Sequence, residues 1–269
     1  MGHAGRKAST NPPWIERGGP APADKAWETV SASAQPYRHD WHTPTALDQQ
    51  GMDRVVAAFV DAAERADRAG FDLVELHGAH GYLLTQFLSP LSNERTDEYG
   101  GSLENRMRFP LRVARALRDA WPPTKALGVR FNGSDWTEGG ITPDEAAAFG
   151  QALHEMGYDY LHLTSGGNVA TARIPGDQPG YQLPFAEAVK AAVPEASVMA
   201  VGMIVMPQQA EAVLTEGKAD LIAVARAVLD DPNWGHHAAV ALGAEEALPV
   251  QYERAGAAYW PGYAAAHSI

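Results

Sequence analysis

Residues 71–101 read FDLVELHGAHGYLLTQFLSPLSNERTDEYGG. The run opens on a short apolar segment, residues 73–76, with the length and composition of a buried strand. His77, His80 and Tyr82 then fall within six residues, where that strand has to end. A strand that delivers two imidazoles and a phenol into the loop at its C-terminal end is the way a parallel α/β barrel builds a site. A dense polar run follows, from Ser92 through Asn93, Glu94, Arg95, Thr96, Asp97, Glu98 and Tyr99 to Gly100 and Gly101.

Outward from this stretch, strands and helices alternate. Before it, Val55, Phe59, Ala62 and Ala66 recur at helical spacing and the stripe ends at Gly70. After it, Ser102 caps a short helical piece, and Pro110 at a first turn restarts a helix to Ala120, stopped by Trp121-Pro122-Pro123. Further strands are expected at 126–131, 160–164, 198–201 and 221–225. Between them, Thr142-Pro143-Asp144-Glu145 has the form of a capping box for a helix buried through Phe149, Leu153 and Met156. Helices are also expected over 184–193, 207–216 and 232–242, while residues 8–50, rich in proline and glycine, read as an irregular excursion. Units of this kind at spacings near thirty residues imply βαβ crossovers and a parallel sheet. Five strands after the opening fragment fall short of the eight in a closed barrel. An open doubly wound sheet fits that count, but it ordinarily carries a glycine-rich phosphate turn after its first strand, and His3-Ala4-Gly5-Arg6 is no such turn.

Composition excludes several classes. With 45% apolar residues over 269 positions the chain has material for one large core of about the barrel size of 250 residues. No run approaches the ~18 apolar residues that span a bilayer, and the first residues carry no hydrophobic leader. A cytoplasmic location is therefore expected. With 0 cysteines there are no disulfides, thiolate metal sites or iron–sulfur clusters. A formal charge of −12 argues against a nucleic-acid partner.

Taken alone, His77 and His80 at i, i+3 are a possible metal site or two polar loop residues. Tyr82 beside Leu83-Leu84 is core packing or an acid, Arg130 a salt-bridge partner or an anion site. The continuation G-Y-L-L-x-Q-F-L-S-P and the later S-N-x-R-T-D-x-Y-G-G-S-x-x-N-R are much more specific. With His3-Ala4-Gly5-Arg6-Lys7 they resemble the signature of the old yellow enzyme family, the FMN-dependent ene reductases, and Val250-Gln251-Tyr252-Glu253-Arg254 resembles the C-terminus of its thermophilic-like branch. The resemblance covers essentially the whole chain and begins at the family's third strand.

That resemblance implies a (β/α)8 TIM barrel forming a single domain over residues 1–269, in a copy lacking the first two strands and most of the third. It implies FMN, reduced by NADPH or NADH, and a small activated alkene as substrate. His77 and His80 would donate hydrogen bonds to the carbonyl oxygen of an α,β-unsaturated compound, where donors stabilise developing negative charge. Tyr82 would protonate the α-carbon, since a phenol keeps its proton at neutral pH. Arg130 would lie by the flavin N1/O2 edge. Gly202, Ala225 and Arg226 would hold the phosphate, with Ala225 standing where glycine is frequent. Arg254 would cross a dimer contact into a neighbour's site, the alternative being a solvated tail charge; a homo-oligomer is implied for the full-length protein. No metal is implied. His3, Arg6 and the run 93–99 are read as structural, and His236-His237 as surface. The rival expectation is a truncated, non-catalytic barrel fragment that does not hold FMN stably alone.

Overall fold

A computed structural model of the chain describes residues 1–15, 18–244 and 248–266, so the end of the tail, 267–269, lies outside the described residues. Within the excursion 8–50, β1 (Val30–Ser31) pairs in parallel with β2 (Thr45–Ala46), and an isolated bridge joins Thr10 to Pro20. This segment is therefore less irregular than its composition suggests. Helix α1 (Gln49–Arg68) starts on Asp48, whose Oδ1 accepts from the Gly51 N–H at 2.7 Å. Its buried stripe is Met52, Val55, Phe59 and Ala63, so Ala63 faces inward rather than Ala62.

β3 (Leu73–Gly78) leads to α2 (Leu83–Leu88), a helix where only loop is expected. All six of its residues are buried, so there is no polar face to give a helical period. Helix α3 (Leu103–Ala120) is one continuous element capped by Ser102, not a short piece restarted at Pro110. Proline in a helix interior costs about 3 kcal/mol. The fully buried Phe109, Val113 and Leu117 around it contribute roughly 1.5–3 kcal/mol each, enough to offset that.

The chain continues through β4 (Ala126–Asn132), α4 (Pro143–Glu155), β5 (Tyr160–Thr164), α5 (Leu183–Ala192), β6 (Ser197–Ala200), α6 (Pro207–Thr215) and β7 (Leu221–Ile222). It ends with α7 (Arg226–Asp230), α8 (Trp234–Ala241), a 3-10 turn (Val250–Ala255) and α9 (Tyr263–Ala266). Thr142 caps α4 as expected, its Oγ1 accepting from the Glu145 N–H at 3.3 Å. The Glu145 carboxylate does not turn back to complete the box; it meets Arg106 at 2.5 Å.

β3 to β7 form one parallel sheet in sequential order. Beside its first strand, the Met1 ammonium donates to the Glu75 carbonyl at 2.5 Å and the His77 N–H donates to the Met1 carbonyl at 2.7 Å. That alternation is a parallel ladder, with Met1 opposite Leu76. Strand order that never reverses belongs to a barrel wall, whereas a doubly wound sheet has a switch point. The helices agree, since α1 packs on α3, α3 on α4 and α4 on α5 in one layer. Val74, Leu76, Leu127, Val129, Phe131, Leu161, Leu163, Val198 and Ala200 are buried against that layer. The alternate residues of the same strands face the other way, and among them are the polar Glu75, His77, Arg130, Asn132, Tyr160, His162 and Thr164.

Candidate active site

Register builds the site. His77 of β3 stands opposite Arg130 of β4, and Arg130 opposite His162 of β5. One step earlier, Glu75 is opposite Gly128 and Gly128 opposite Tyr160. One step later, Asn132 is opposite Thr164. Three parallel strands thus present a polar grid on the face away from the helices.

The lower part of the grid is closed on itself. Tyr160 Oη donates to Glu75 Oε2 at 3.0 Å, and His162 Nδ1 lies 2.9 Å from the same oxygen. Gly128 permits this, because a Cβ there would sit 2.0 Å from the Tyr160 ring. Burial raises the Glu75 carboxyl, but the bonds from His162 and Tyr160 and the Arg130 charge outweigh it and leave the group below its usual range. No part of this cluster is in the expected site. Its sequence signal is the charged Glu75 inside an otherwise apolar strand.

At the upper end, His77, His80 and Tyr82 do come together. The His77 ring centroid is 5.1 Å from that of His80 and 5.3 Å from that of Tyr82. His80 has φ +58°, a left-handed conformation uncommon for residues other than glycine. Its N–H is held by Asn132 Oδ1 at 3.1 Å. Gly81 follows at φ +70°, and a Cβ there would meet the Gly167 carbonyl oxygen at 2.2 Å. The loops after β3 and β5 therefore touch backbone to backbone. Lys7 fastens them, its Nζ donating to the carbonyls of His80 at 2.8 Å and Gly167 at 2.9 Å. Lys7 has no expected role, although it directly follows Arg6 in the opening motif.

Burial holds His77 down to about 4 and His80 down to about 3, with the nearby Arg130 charge adding to both. Both imidazoles are therefore neutral at physiological pH and carry one N–H each. A donor chain assigns the tautomers. Thr164 Oγ1 donates to Gln182 Oε1 at 3.1 Å, so it accepts from His80 Nε2 at 3.0 Å. His80 Nδ1 is then the acceptor for His77 Nε2, at 3.3 Å.

Arg130 lies beside this chain, with Nη2 donating to Thr164 Oγ1 at 3.3 Å. Its Nε is buried without a hydrogen-bond partner, and burial lowers the guanidinium's pKa despite the opposing charge of Glu75. A buried, unpaired guanidinium N–H in this position calls for an acceptor. The adjoining cavity of about 410 Å³ is lined by His80, Arg130, Gly202, Ala225 and Arg226, among others. Gly202 has φ +122°, and a Cβ there would press on Gln182 Nε2 at 2.8 Å. Ala225 has φ −123°, so that position does not demand glycine. Arg226 is exposed at the cavity wall. A flavin mononucleotide fits these residues: Arg130 supplies the unused donor for the ring edge, and Gly202 with Arg226 a cationic end for the phosphate.

Arg254 is not brought to the site; it is exposed in the 3-10 turn Val250–Ala255 and is not among the residues lining the cavity. Arg6 is buried, donating to Gln35 Oε1 at 2.8 Å and to the Asn168 carbonyl at 2.8 Å, while His3 Nδ1 accepts from the Gly5 N–H. Within 93–99, Asn93 donates to the carbonyls of Phe87 and Tyr99, and Arg95 to those of Ala32 and Leu47. His237 is exposed and lies 2.6 Å from Asp231, and His236 is half-buried.

A model of the NADH:flavin oxidoreductase / NADH oxidase family matches residues 3–245. An NADPH dehydrogenase from Geobacillus sp. (strain WCH70) is 39% identical over 257 residues, which cover 94% of this chain and 69% of that protein. Among solved structures, morphinone reductase superposes with a TM-score of 0.67 at 30% identity, over 83% of this chain and 62% of its own. A 2-naphthoyl-CoA reductase in complex with 2-naphthoyl-CoA gives a TM-score of 0.74 at 28% identity, over 81% of this chain and 33% of its own. The chain thus spans about 69% of the curated relative's length and less than two thirds of either solved structure's.

Proposed function

The chain belongs to the NADH:flavin oxidoreductase / NADH oxidase family, and from that membership we propose that it reduces the activated C=C bond of α,β-unsaturated carbonyl compounds, using FMN and NADPH or NADH. The observation that carries this reading is the convergence of His77, His80 and Tyr82 beside a half-buried Arg130 whose buried Nε has no partner. Bound flavin supplies hydride chemistry at the alkene β-carbon.

The chain's own residues supply the rest. When a carbonyl oxygen takes the place of the mutual bond of neutral His77 and His80, His77 donates its Nε2–H directly. His80 donates after exchanging tautomers, its proton on Nδ1 and the Thr164 hydroxyl turned to donate to Nε2. The pair stabilises the charge that builds there. Burial sharpens this effect, because it lowers the local dielectric around the oxygen. Tyr82 holds the proton for the α-carbon. Arg130 places a positive charge beside the flavin ring, and Gly202, Ala225 and Arg226 seat the phosphate. Arg254 acts on substrate only through a second copy of the chain, so its assignment rests on a homo-oligomer; a strictly monomeric protein in solution contradicts it.

Tyr82→Phe tests the proposal. A positioned general acid contributes roughly 10²–10⁴-fold, so stopped-flow alkene reduction is expected to slow by about that factor. Flavin reduction by the nicotinamide should be spared. Equal loss in both half-reactions excludes Tyr82 as the acid.

A further inference from the structure

Another cavity, of about 470 Å³, adjoins Tyr82 and is lined by Lys7, Tyr37, Arg38, Trp41 and Tyr82, among others. Its two cations are not alike. Arg38 is already neutralised, donating to both carboxylate oxygens of Asp40 at 2.9 and 2.6 Å. Lys7 has no carboxylate partner among the described residues. It spends two N–H donors on carbonyls, and its third has no hydrogen-bond acceptor among the described residues. Its Nζ stands 4.8 Å from the Tyr37 ring centroid and 5.0 Å from that of Tyr82. Aromatic walls favour a planar ligand, and they hold the ammonium without neutralising it.

The neighbouring charge points the same way. Arg6, buried beside Lys7, also ends on neutral groups, Gln35 and Asn168. Burial and then the Arg6 charge bring Lys7 down to about 8, the behaviour of a cation that lacks its counter-ion. In a chain of formal charge −12, this is a local positive spot next to the proposed proton donor. An anion entering here meets the Lys7 ammonium, which has no ion-pair partner among the described residues, and displaces no existing ion pair.

We propose that the cavity beyond Tyr82 receives an anionic arm of the substrate, a carboxylate carried by a planar activated alkene, with the Lys7 ammonium as its partner. This inference rests on the placement of the alkene at His77, His80 and Tyr82. It makes Lys7 a specificity-determining residue, and it divides one substrate class into a preferred acidic and a disfavoured neutral half.

Paired ligands test it: 4-carboxycinnamaldehyde and its methyl ester, titrated calorimetrically into the oxidised, FMN-loaded protein without nicotinamide. A charge-assisted hydrogen bond corresponds to about 10–100-fold in affinity, so the acid is expected to bind wild-type protein tighter than the ester by roughly that factor. Lys7→Met should erase the preference, the acid losing at least about tenfold more affinity than the ester, and Lys7→Arg, which keeps a donor for the two carbonyls, should restore part of it. Equal affinities in wild type, a preference that survives Lys7→Met, or equal loss of both ligands in that variant each overturn the inference. If the ester binds and is reduced but the acid has no advantage, only the Lys7 assignment fails. If neither ligand binds wild-type protein, the alkene site itself fails, and this inference with it.

Discussion

His77 and His80 combine two costs that only a site justifies: both imidazoles are held neutral by burial, and His80 is held at φ +58°. The first cost has a measurable sign. A histidine titrates near 6.5 in an unfolded chain, while these two titrate at about 4 and about 3 when folded. Below about pH 6.5 the unfolded state therefore binds more protons, and stability falls as pH is lowered through this window. Wild-type protein should lose midpoint stability in urea between pH 6.5 and 4.5, and His77→Asn with His80→Asn should flatten that dependence. An unchanged pH slope in the double variant contradicts the buried-neutral state. At this scale His77, His80, Tyr82 and Arg130 were legible because a long motif and a strand end mark them. Glu75, His162 and Lys7 were not, since their meaning comes from register and from segments far apart in sequence.

Two elements hold that geometry, and both make predictions. The contact between the loops after β3 and β5 depends on Gly81, where a Cβ would overlap the Gly167 carbonyl. Gly81→Ala adds that clash to a left-handed backbone, so a loss of at least about 2 kcal/mol is expected in urea unfolding; a change under about 0.5 kcal/mol contradicts the close approach. Helix α3 is tied to α2 by Arg106, buried and donating to the Leu88 carbonyl, the Gly101 carbonyl and Glu145. Arg106→Leu should cost about 3–5 kcal/mol, since it strands buried acceptors. The exposed pair between Arg112 and Asp53 provides the contrast, and Arg112→Ala should cost within about 1 kcal/mol. Similar losses at both positions refute the distinction. Capped, amphipathic helices such as α1 and α4 were readable from sequence. α2 was hidden because it is apolar on every side, and the continuity of α3 because tertiary burial overrides Pro110.

For the whole molecule, five strands in unreversed order with helices in one layer make a barrel wall. That order followed from the alternation of elements in the chain. The short parallel pair β1 and β2 did not, because two-residue strands leave no period. The wall sets one face of strands β3, β4 and β5 apart from the helices, and the proposed flavin cradle and alkene site both lie on that face. Visible absorbance of the purified protein tests this placement most directly. A yellow protein is expected, with FMN bound near one per chain and a flavin band that shifts when a para-substituted phenol is added. The His77→Ala, His80→Ala double variant should keep its flavin and lose the phenol-induced shift. Protein that holds no flavin, or a double variant that shifts like wild type, contradicts it.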